Sequence, residues 1–407
     1  MSFDVAAVRA QFPSLAAGAA YFDGPGGSQT PEVVARAISD TLVSSIANRG
    51  VMTRAERNAD EVVRGFRAAM ADLLGADPGG IVFGRSMTQL TFDIGRALAK
   101  TWSPGDEVVV SRLDHDANVR PWVITAENAG ATVRWIDFDP ETTELRPEHV
   151  AEQLSERTRL VAVTGASNLI GTRPDLPAIA ELVHGVGALL YVDGVHLAAH
   201  AGIDVAALGA DFFVCSPYKF FGPHCGVLAA SPALLQTLHP DKLLPATEDV
   251  PERFELGTLP YELMAGTTAV VDFIADLGRI AGSDSTGGDR RQRVLASMDA
   301  VHEHEEALRR RIESTLAEFD SMTLHSRAGR RTPTLLYTFA DRPAGEAYRF
   351  LAELDVNAPA STFYAYEPAR RLGLPDEDGG LRIGLAPYND DSDVDRLLDG
   401  LAKLTGH

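Results

Sequence analysis

The sequence predicts an α/β fold: a large domain with a mostly parallel sheet flanked by helices, and a smaller α+β domain at the C-terminal end. Three observations carry this. Short apolar runs alternate with helix-length segments between residues 81 and 230, as parallel strands joined by helical crossovers would. The runs are rich in β-branched and aromatic residues and stop at Gly, Pro or polar positions, so they read as strands buried on both faces. Beyond Ala230 the pattern loosens, and a long amphipathic stretch, Val294–Phe319, leads into a second, shorter set of elements. At 407 residues two domains are expected: 21–280 large and 281–407 small, with residues 1–20 packing against the small one.

Taken in order, Val5–Gln11 is a short helix before Tyr21-Phe22-Asp23, and Gly24-Pro25-Gly26-Gly27-Ser28 is an irregular turn whose glycines let backbone approach a ligand. Pro31–Ser45 and Ala55–Leu74 have helical periodicity, stopped at Ala76-Asp77-Pro78. Ile81-Val82-Phe83 is a strand, and Gly84-Arg85-Ser86-Met87-Thr88 turns into a helix that runs to about Lys100. Backbone N–H groups and a hydroxyl at a helix start can seat a phosphate, although Ser86 or Thr88 taken alone reads more readily as an ordinary N-cap. Glu107–Ser111 is a strand, followed by Asp114-His115-Asp116-Ala117-Asn118, where a His could stack on a flat heteroaromatic ring. Ala117–Asn128 is helix, Thr132–Phe138 strand, and Leu160–Thr164 a buried strand ending in Gly165-Ala166-Ser167-Asn168. The Asn168 side chain is placed to donate to a ring oxygen. Asp175–Val186 is the helix that returns to the next strand.

That next stretch organises the chain. Ala188–Val192 stops at Asp193, with Gly194, Val195 and His196 following; Asp204–Leu208 is helical; Phe212–Cys215 stops at Ser216-Pro217-Tyr218-Lys219. Ligands of open α/β sheets lie beyond the carboxyl ends of the strands, so Asp193 and Lys219 face one crevice. An acid, a His, a Ser and a Lys there suit a cofactor with a ring nitrogen, a phosphate and an aldehyde. Pyridoxal 5′-phosphate has all three: a Lys amine bonds its aldehyde, and a carboxylate keeps its ring nitrogen protonated.

After the Gly226–Ala230 strand, Arg253–Thr258 precedes a helix over Tyr261–Leu277, and Gly282–Arg291 is a mobile surface linker. The small domain then has strand Thr334–Phe339, helix Ala344–Leu354, strand Leu381–Leu385 and closing helix Val394–Leu404.

Composition excludes several function classes. The net charge of −20 and pI near 4.9 argue against nucleic acid or an anionic membrane as a partner. The N-terminal residues lack a basic region followed by an apolar core, no run reaches membrane-helix length, and two cysteines, Cys215 and Cys225, are too few for a disulfide framework. A cytoplasmic enzyme is expected. No metal site is expected, and no G-x-G-x-x-G follows the first strand, which sets a dinucleotide-binding dehydrogenase low.

Three local patterns, Val192-Asp193-Gly194, Ser167-Asn168-Leu169-Ile170-Gly171-Thr172 and Ser216-Pro217-Tyr218-Lys219, stand in the order and contexts (VDG, SNxxGT, S-x-x-K) of a known family. From Tyr21 to about Leu401 the chain resembles the class V aminotransferases of pyridoxal phosphate fold type I, in particular their cysteine desulfurase-like branch. The resemblance implies a large domain with a sheet of the seven-stranded type, and a homodimer with shared sites. It implies Lys219 as the residue bonded to the cofactor, Asp193 as the ring-nitrogen partner, and His115 stacked on the ring. Asn168 and His196 would contact the ring-oxygen side, with His196 where desulfurases often have Gln. Ser86 and Met87 (through backbone N–H), Thr88 and Ser216 would contact phosphate, with Tyr218 where a His is usual. Gly257 and Thr258 would reach the phosphate of a second subunit, and Arg382 would grip a substrate α-carboxylate.

One departure matters. Desulfurases carry a nucleophilic Cys on a loop shortly before that Arg, whereas Asn357-Ala358-Pro359-Ala360-Ser361-Thr362-Phe363-Tyr364 contains none. Cys215 reads as a small apolar core residue, and a persulfide role for Cys225 is disfavoured. The expected function is therefore chemistry at the α carbon of an amino acid. Sulfur amino acid lyase activity ranks slightly above aminotransferase or epimerase activity. A catalytically silent paralogue that binds a phosphorylated ligand is the reading from another class.

Overall fold

In a computed structural model, which describes residues 3–282 and 287–407, a seven-stranded sheet is built from β1 (Ile81–Gly84), β2 (Glu107–Ser111), β3 (Thr132–Ile136), β4 (Thr158–Thr164), β5 (Leu189–Asp193), β6 (Phe212–Cys215) and β7 (Gly226–Ala230). Their spatial order is β1-β7-β6-β5-β4-β2-β3. Strand β7 runs antiparallel to both its neighbours, and the other pairings are parallel. Alternate residues feed two cores. Val108, Val110, Tyr191, Phe212 and Val214 pack on one face, while Val109, Val161, Val192, Phe213 and Val227 pack on the other, as the two-residue repeat of a strand requires.

The helices form where local chemistry starts and stops them. Helix α1 (Arg54–Leu74) opens with a Thr53/Glu56 capping box and ends at Gly75 in a left-handed conformation. Helix α2 (Met87–Ala99) is capped by Ser86, whose Oγ accepts from Gln89 N. Helix α3 (Tyr261–Ile280) packs on α1. Helix α4 (Arg290–Leu316) starts earlier than periodicity suggests because Asp289 and Gln292 form a capping box. The linker expected at Gly282–Arg291 thus shrinks; of it, residues 283–286 lie outside the described residues.

The second sheet contains β8 (Met322–Leu324), β9 (Thr334–Phe339), β10 (Ala360–Ser361) and β11 (Gly380–Gly384), antiparallel in the order β10-β11-β9-β8. It packs with Leu308, Ile312, Leu351, Leu397 and Leu401 in its own core. The N-terminal segment meets both bodies. Val8 and Phe12 enter the large core, while Ala20 and Phe22 enter the small one. One expected helix is absent: Asp204–Leu208 forms hydrogen-bonded turns ending at left-handed Gly209. Gly209, in the left-handed region, closes the segment after one turn, with Ala210 N donating to Val205 O at 3.2 Å.

Candidate active site

Parallel strands β2, β4, β5 and β6 end side by side, and their carboxyl ends deliver the site. Thr164 pairs with Asp193, and Asp193 with Val214, so the β4, β5 and β6 termini are in register. The chain leaves β6 through a single turn, Pro217–Lys219. A cavity of about 330 Å³ lies beyond these ends, and Lys219, Asp193, His115, His196, Asn168 and Arg382 all line it. Met87, Thr88, Tyr218, Pro25, Phe363 and Tyr364 complete most of its wall. Ser86, Ser216, Gly257 and Thr258 are not part of the lining; Gly257 and Thr258 stand exposed to solvent.

Lys219 and Asp193 share the cavity but form no ion pair. The Lys219 amine instead donates to the carbonyls of Pro25 and, at 3.0 Å, Gly26. The turn over residues 24–28 is thus a cradle for the amine, and Ser28 fastens it by donating from both N and Oγ to Tyr218 O. Burial, aided by the Arg382 charge and opposed by Asp193, pulls the Lys219 amine down to about 7. Burial pushes the Asp193 carboxyl up to about 6, against the Val195 N–H that donates to it at 2.9 Å and the Lys219 charge.

His115 accepts from Ala117 N at 3.0 Å through Nδ1, and burial, with the Lys219 charge, lowers it to about 4, so its ring is neutral. Burial holds His196 well below its usual range. Its Nε2 meets the hydroxyls of Thr332 at 3.0 Å and Thr334 at 2.9 Å. Asn168 uses one amide hydrogen on Phe363 O at 3.0 Å, and its Oδ1 is buried without a partner. Arg382 donates to Asn168 O at 3.0 Å, lies with Cζ 3.6 Å from the Phe363 ring centroid, and leaves Nε unpartnered. Burial lowers its guanidinium to about 9, against Asp23. Cys215 and Cys225 are buried outside the lining, and burial raises both thiols.

Reasoning from the sequence missed several contributors. Asp114 is fully buried behind the site; it accepts from Thr164 N at 3.0 Å, Asn118 Nδ2 at 2.7 Å and Ser111 Oγ. Asn118 in turn accepts from Trp122 Nε1 at 3.0 Å. The four-residue spacing of Asp114, Asn118 and Trp122 was the available signal. Phe363 and Tyr364 carried no signal beyond the missing Cys, and Thr332 and Thr334 none.

The donor set suits pyridoxal 5′-phosphate. An amine and a carboxylate face one cavity without neutralising each other, a neutral imidazole lines it, and buried polar atoms of Asn168 and Arg382 lack partners. Met87 and Thr88 bring the first turn of a 13-residue helix to the wall, the end that favours an anion. At its base Gly226 is required: a Cβ there would lie 2.5 Å from Met87 N.

Comparison with known proteins agrees with this geometry. The aminotransferase class-V family model matches residues 20–397. An aminotransferase-like protein of Gibberella zeae is 31% identical over 98% of this chain and 98% of its own length. A cysteine desulfurase of Salmonella agona is 30% identical, covering 99% of each chain. The solved structure of an Escherichia coli cysteine desulfurase superposes with a TM-score of 0.85 at 26% identity, covering 99% of this chain and 98% of that one.

Proposed function

The chain belongs to the class V aminotransferase family, and from that premise we propose that it is a lyase that cleaves the C–S bond of a sulfur amino acid by elimination. Pyridoxal 5′-phosphate, the family's cofactor, supplies when bound an aldehyde for the substrate's amino group and a ring that accepts the electron pair released at Cα.

The single observation that carries the proposal is the shared, unpaired placement of Lys219 and Asp193 around one cavity. In this reading Lys219 would be the residue that holds the cofactor through its aldehyde, and its amine, pulled down to about 7 by burial, would be the base that moves the Cα proton. Asp193 would hold the ring nitrogen protonated, and the neutral His115 would lie against the cofactor's ring. His196 and Asn168 serve the ring-oxygen side. Arg382 holds the α-carboxylate in a planar fork and so sets which Cα bond is aligned for breaking. Met87 and Thr88, which line the cavity at the start of α2, serve the phosphate, while Ser86 and Ser216 lie outside the lining and the Ser86 hydroxyl caps the helix instead. The absence of a Cys from residues 357–364 favours elimination over persulfide transfer. The same Lys219 base serves transamination or epimerisation, and likeness to an aminotransferase-like relative keeps aminotransferase as the second reading.

A second copy of the chain completes the site in this proposal, with its Gly257 and Thr258 reaching the phosphate. Leu244 is 97% exposed, Val43 84% and Met52 81%, apolar side chains that a second copy could cover. Among the described residues no helix is long and apolar enough to cross a membrane, in keeping with the proposed cytoplasmic location.

The test begins with spectroscopy. Purified protein loaded with the cofactor is expected to show a visible absorption band that Lys219→Ala abolishes; no band would leave a silent paralogue. Incubation with sulfur amino acids is then expected to release a thiol or sulfide with pyruvate and ammonium. Pyridoxamine phosphate accumulating without them would make the enzyme an aminotransferase.

A further inference from the structure

We propose that the segment Ser361–Ala365 is the specificity element of this site, an aromatic wall that selects amino acids whose sulfur carries an apolar substituent over those with a free thiol. The proposal rests on the lyase reading above and names its substrate class: S-substituted, thioether-type cysteines.

Phe363 and Tyr364 are consecutive side-chain-bearing residues in the left-handed region, at φ 53° and 56°. Such residues stay there only where their surroundings hold them, and here the surroundings are the site itself. Asn168 Nδ2 donates to Phe363 O at 3.0 Å, and Asp116 N donates to Tyr364 O at 2.8 Å. Within the segment, Phe363 N donates to Ser361 Oγ at 3.2 Å and Ala365 N to Thr362 O at 2.9 Å. The Phe363 ring underlies the Arg382 guanidinium, and Tyr364 stacks on His115 with centroids 5.8 Å apart and planes 23° apart. Both aromatics are therefore pinned by the residues assigned to cofactor and carboxylate.

The wall they make is apolar. With Pro25 and Tyr218 they line the cavity beside Lys219 and Arg382. Arg382 and Lys219 both have tasks already, and His115 and His196 are neutral, so the lining offers no free cation to an anionic side chain. A thioether does: its sulfur is polarisable and packs well against aromatic rings. Tyr364 also borders a second, more open cavity of about 800 Å³ lined by charged and polar groups, Asp116, Arg120, Glu367 and Arg370 among them, so the apolar surface offered to a substituent is that of the first cavity.

The chemistry balances without an oxidant or a protein thiol. A substrate R–S–CH2–CH(NH3+)–COO− plus water gives R–SH, pyruvate and ammonium. Lys219 takes the Cα proton, the Cβ–S bond breaks with its electron pair on sulfur, and sulfur leaves protonated. Water then displaces nitrogen.

Binding without turnover tests this. Cofactor-loaded Lys219→Ala protein is titrated with S-benzyl-L-cysteine, S-methyl-L-cysteine and L-serine, following the cofactor's absorbance. S-benzyl-L-cysteine is expected to bind tenfold or more tightly than L-serine, the unreactive stand-in for a free-thiol side chain, with S-methyl-L-cysteine between them (roughly what one apolar contact is worth). Adding Phe363→Ala or Tyr364→Gly is expected to collapse that ratio. Melting curves of the cofactor-free variants separate a folding defect from lost selectivity, and Phe363→Leu, which keeps apolar volume, is expected to retain part of the ratio. Equal binding of L-serine and S-benzyl-L-cysteine, or a ratio indifferent to Phe363 and Tyr364 in folded variants, overturns the proposal. Loss of the wild-type visible band is a different failure: it removes the lyase reading itself, whereas an intact band with a flat ratio removes only the specificity element.

Discussion

Arg382 lies over the ring of Phe363, 3.6 Å from Cζ to the ring centroid, while its Nη1 donates to Asn168 O at 3.0 Å. The side chain is thus fixed in plane and position before any substrate arrives, and no acidic group forms an ion pair with it among the described residues. A planar fork with one face on an aromatic ring suits a carboxylate arriving edge-on. Arg382→Lys keeps the charge but loses fork and stack. Charge-assisted hydrogen bonds are worth about 1.5–3 kcal/mol, so amino acid binding should weaken on the order of 10- to 100-fold. Cofactor affinity should hold. Titrating the loaded variant with amino acid and the cofactor-free variant with cofactor separates the two effects.

The Lys219 amine makes a pH prediction. Its folded value near 7 lies below its ordinary 10.5, so between those limits the unfolded chain binds the extra proton. Stability from this group therefore rises as pH climbs from about 7 to 10.5 and is flat below. Against Lys219→Met, cofactor-free wild-type protein should gain melting temperature across that window; a difference independent of pH would contradict a lowered amine. Cofactor uptake needs the neutral amine, so its rate should fall roughly tenfold per pH unit below 7.

Asp114 has the opposite sign. Burial, with Asp193 nearby, pushes it up to about 8 from an ordinary 3.8, against the hydrogen bonds that Ser111, Asn118 and Thr164 donate. The folded protein then holds a proton that the unfolded chain has released, so this group's contribution is complete below about 3.8 and is lost as pH rises through 8. Asp114→Asn, which keeps much of the network, should flatten the stability–pH profile between those values. Asp114→Ala strands the buried Asn118 amide and Thr164 N–H and should cost about 2–4 kcal/mol. Chemical denaturation across pH measures both.

The strands that matter most were legible because their composition is one-sided. Phe212–Cys215 and Gly226–Ala230 match the structure residue for residue, since apolar runs with polar stops admit few alternatives. Asp193 and Lys219 followed from those stops. The antiparallel run of β7 between β1 and β6 was not legible, because a buried strand reads the same in either direction. Arg382 came from family likeness alone. The Phe363–Tyr364 wall was invisible for another reason: positive φ in bulky residues is imposed by Asn168 and Asp116, which lie 195 and 248 residues away in the sequence. Local propensity carries no trace of that.

Thr332 and Thr334 place the small sheet's influence in the active site. Both hydroxyls meet His196 Nε2, at 3.0 and 2.9 Å, and all three side chains are buried. Either threonine alone can satisfy that nitrogen, so Thr332→Val and Thr334→Val should each weaken cofactor binding only slightly. The double variant leaves a buried ring nitrogen unpaired, which costs about 1–3 kcal/mol, and the loss should exceed the sum of the single effects. Equilibrium dialysis of the cofactor against the four proteins measures this. Strictly additive losses would mean that the two hydroxyls act on something other than His196.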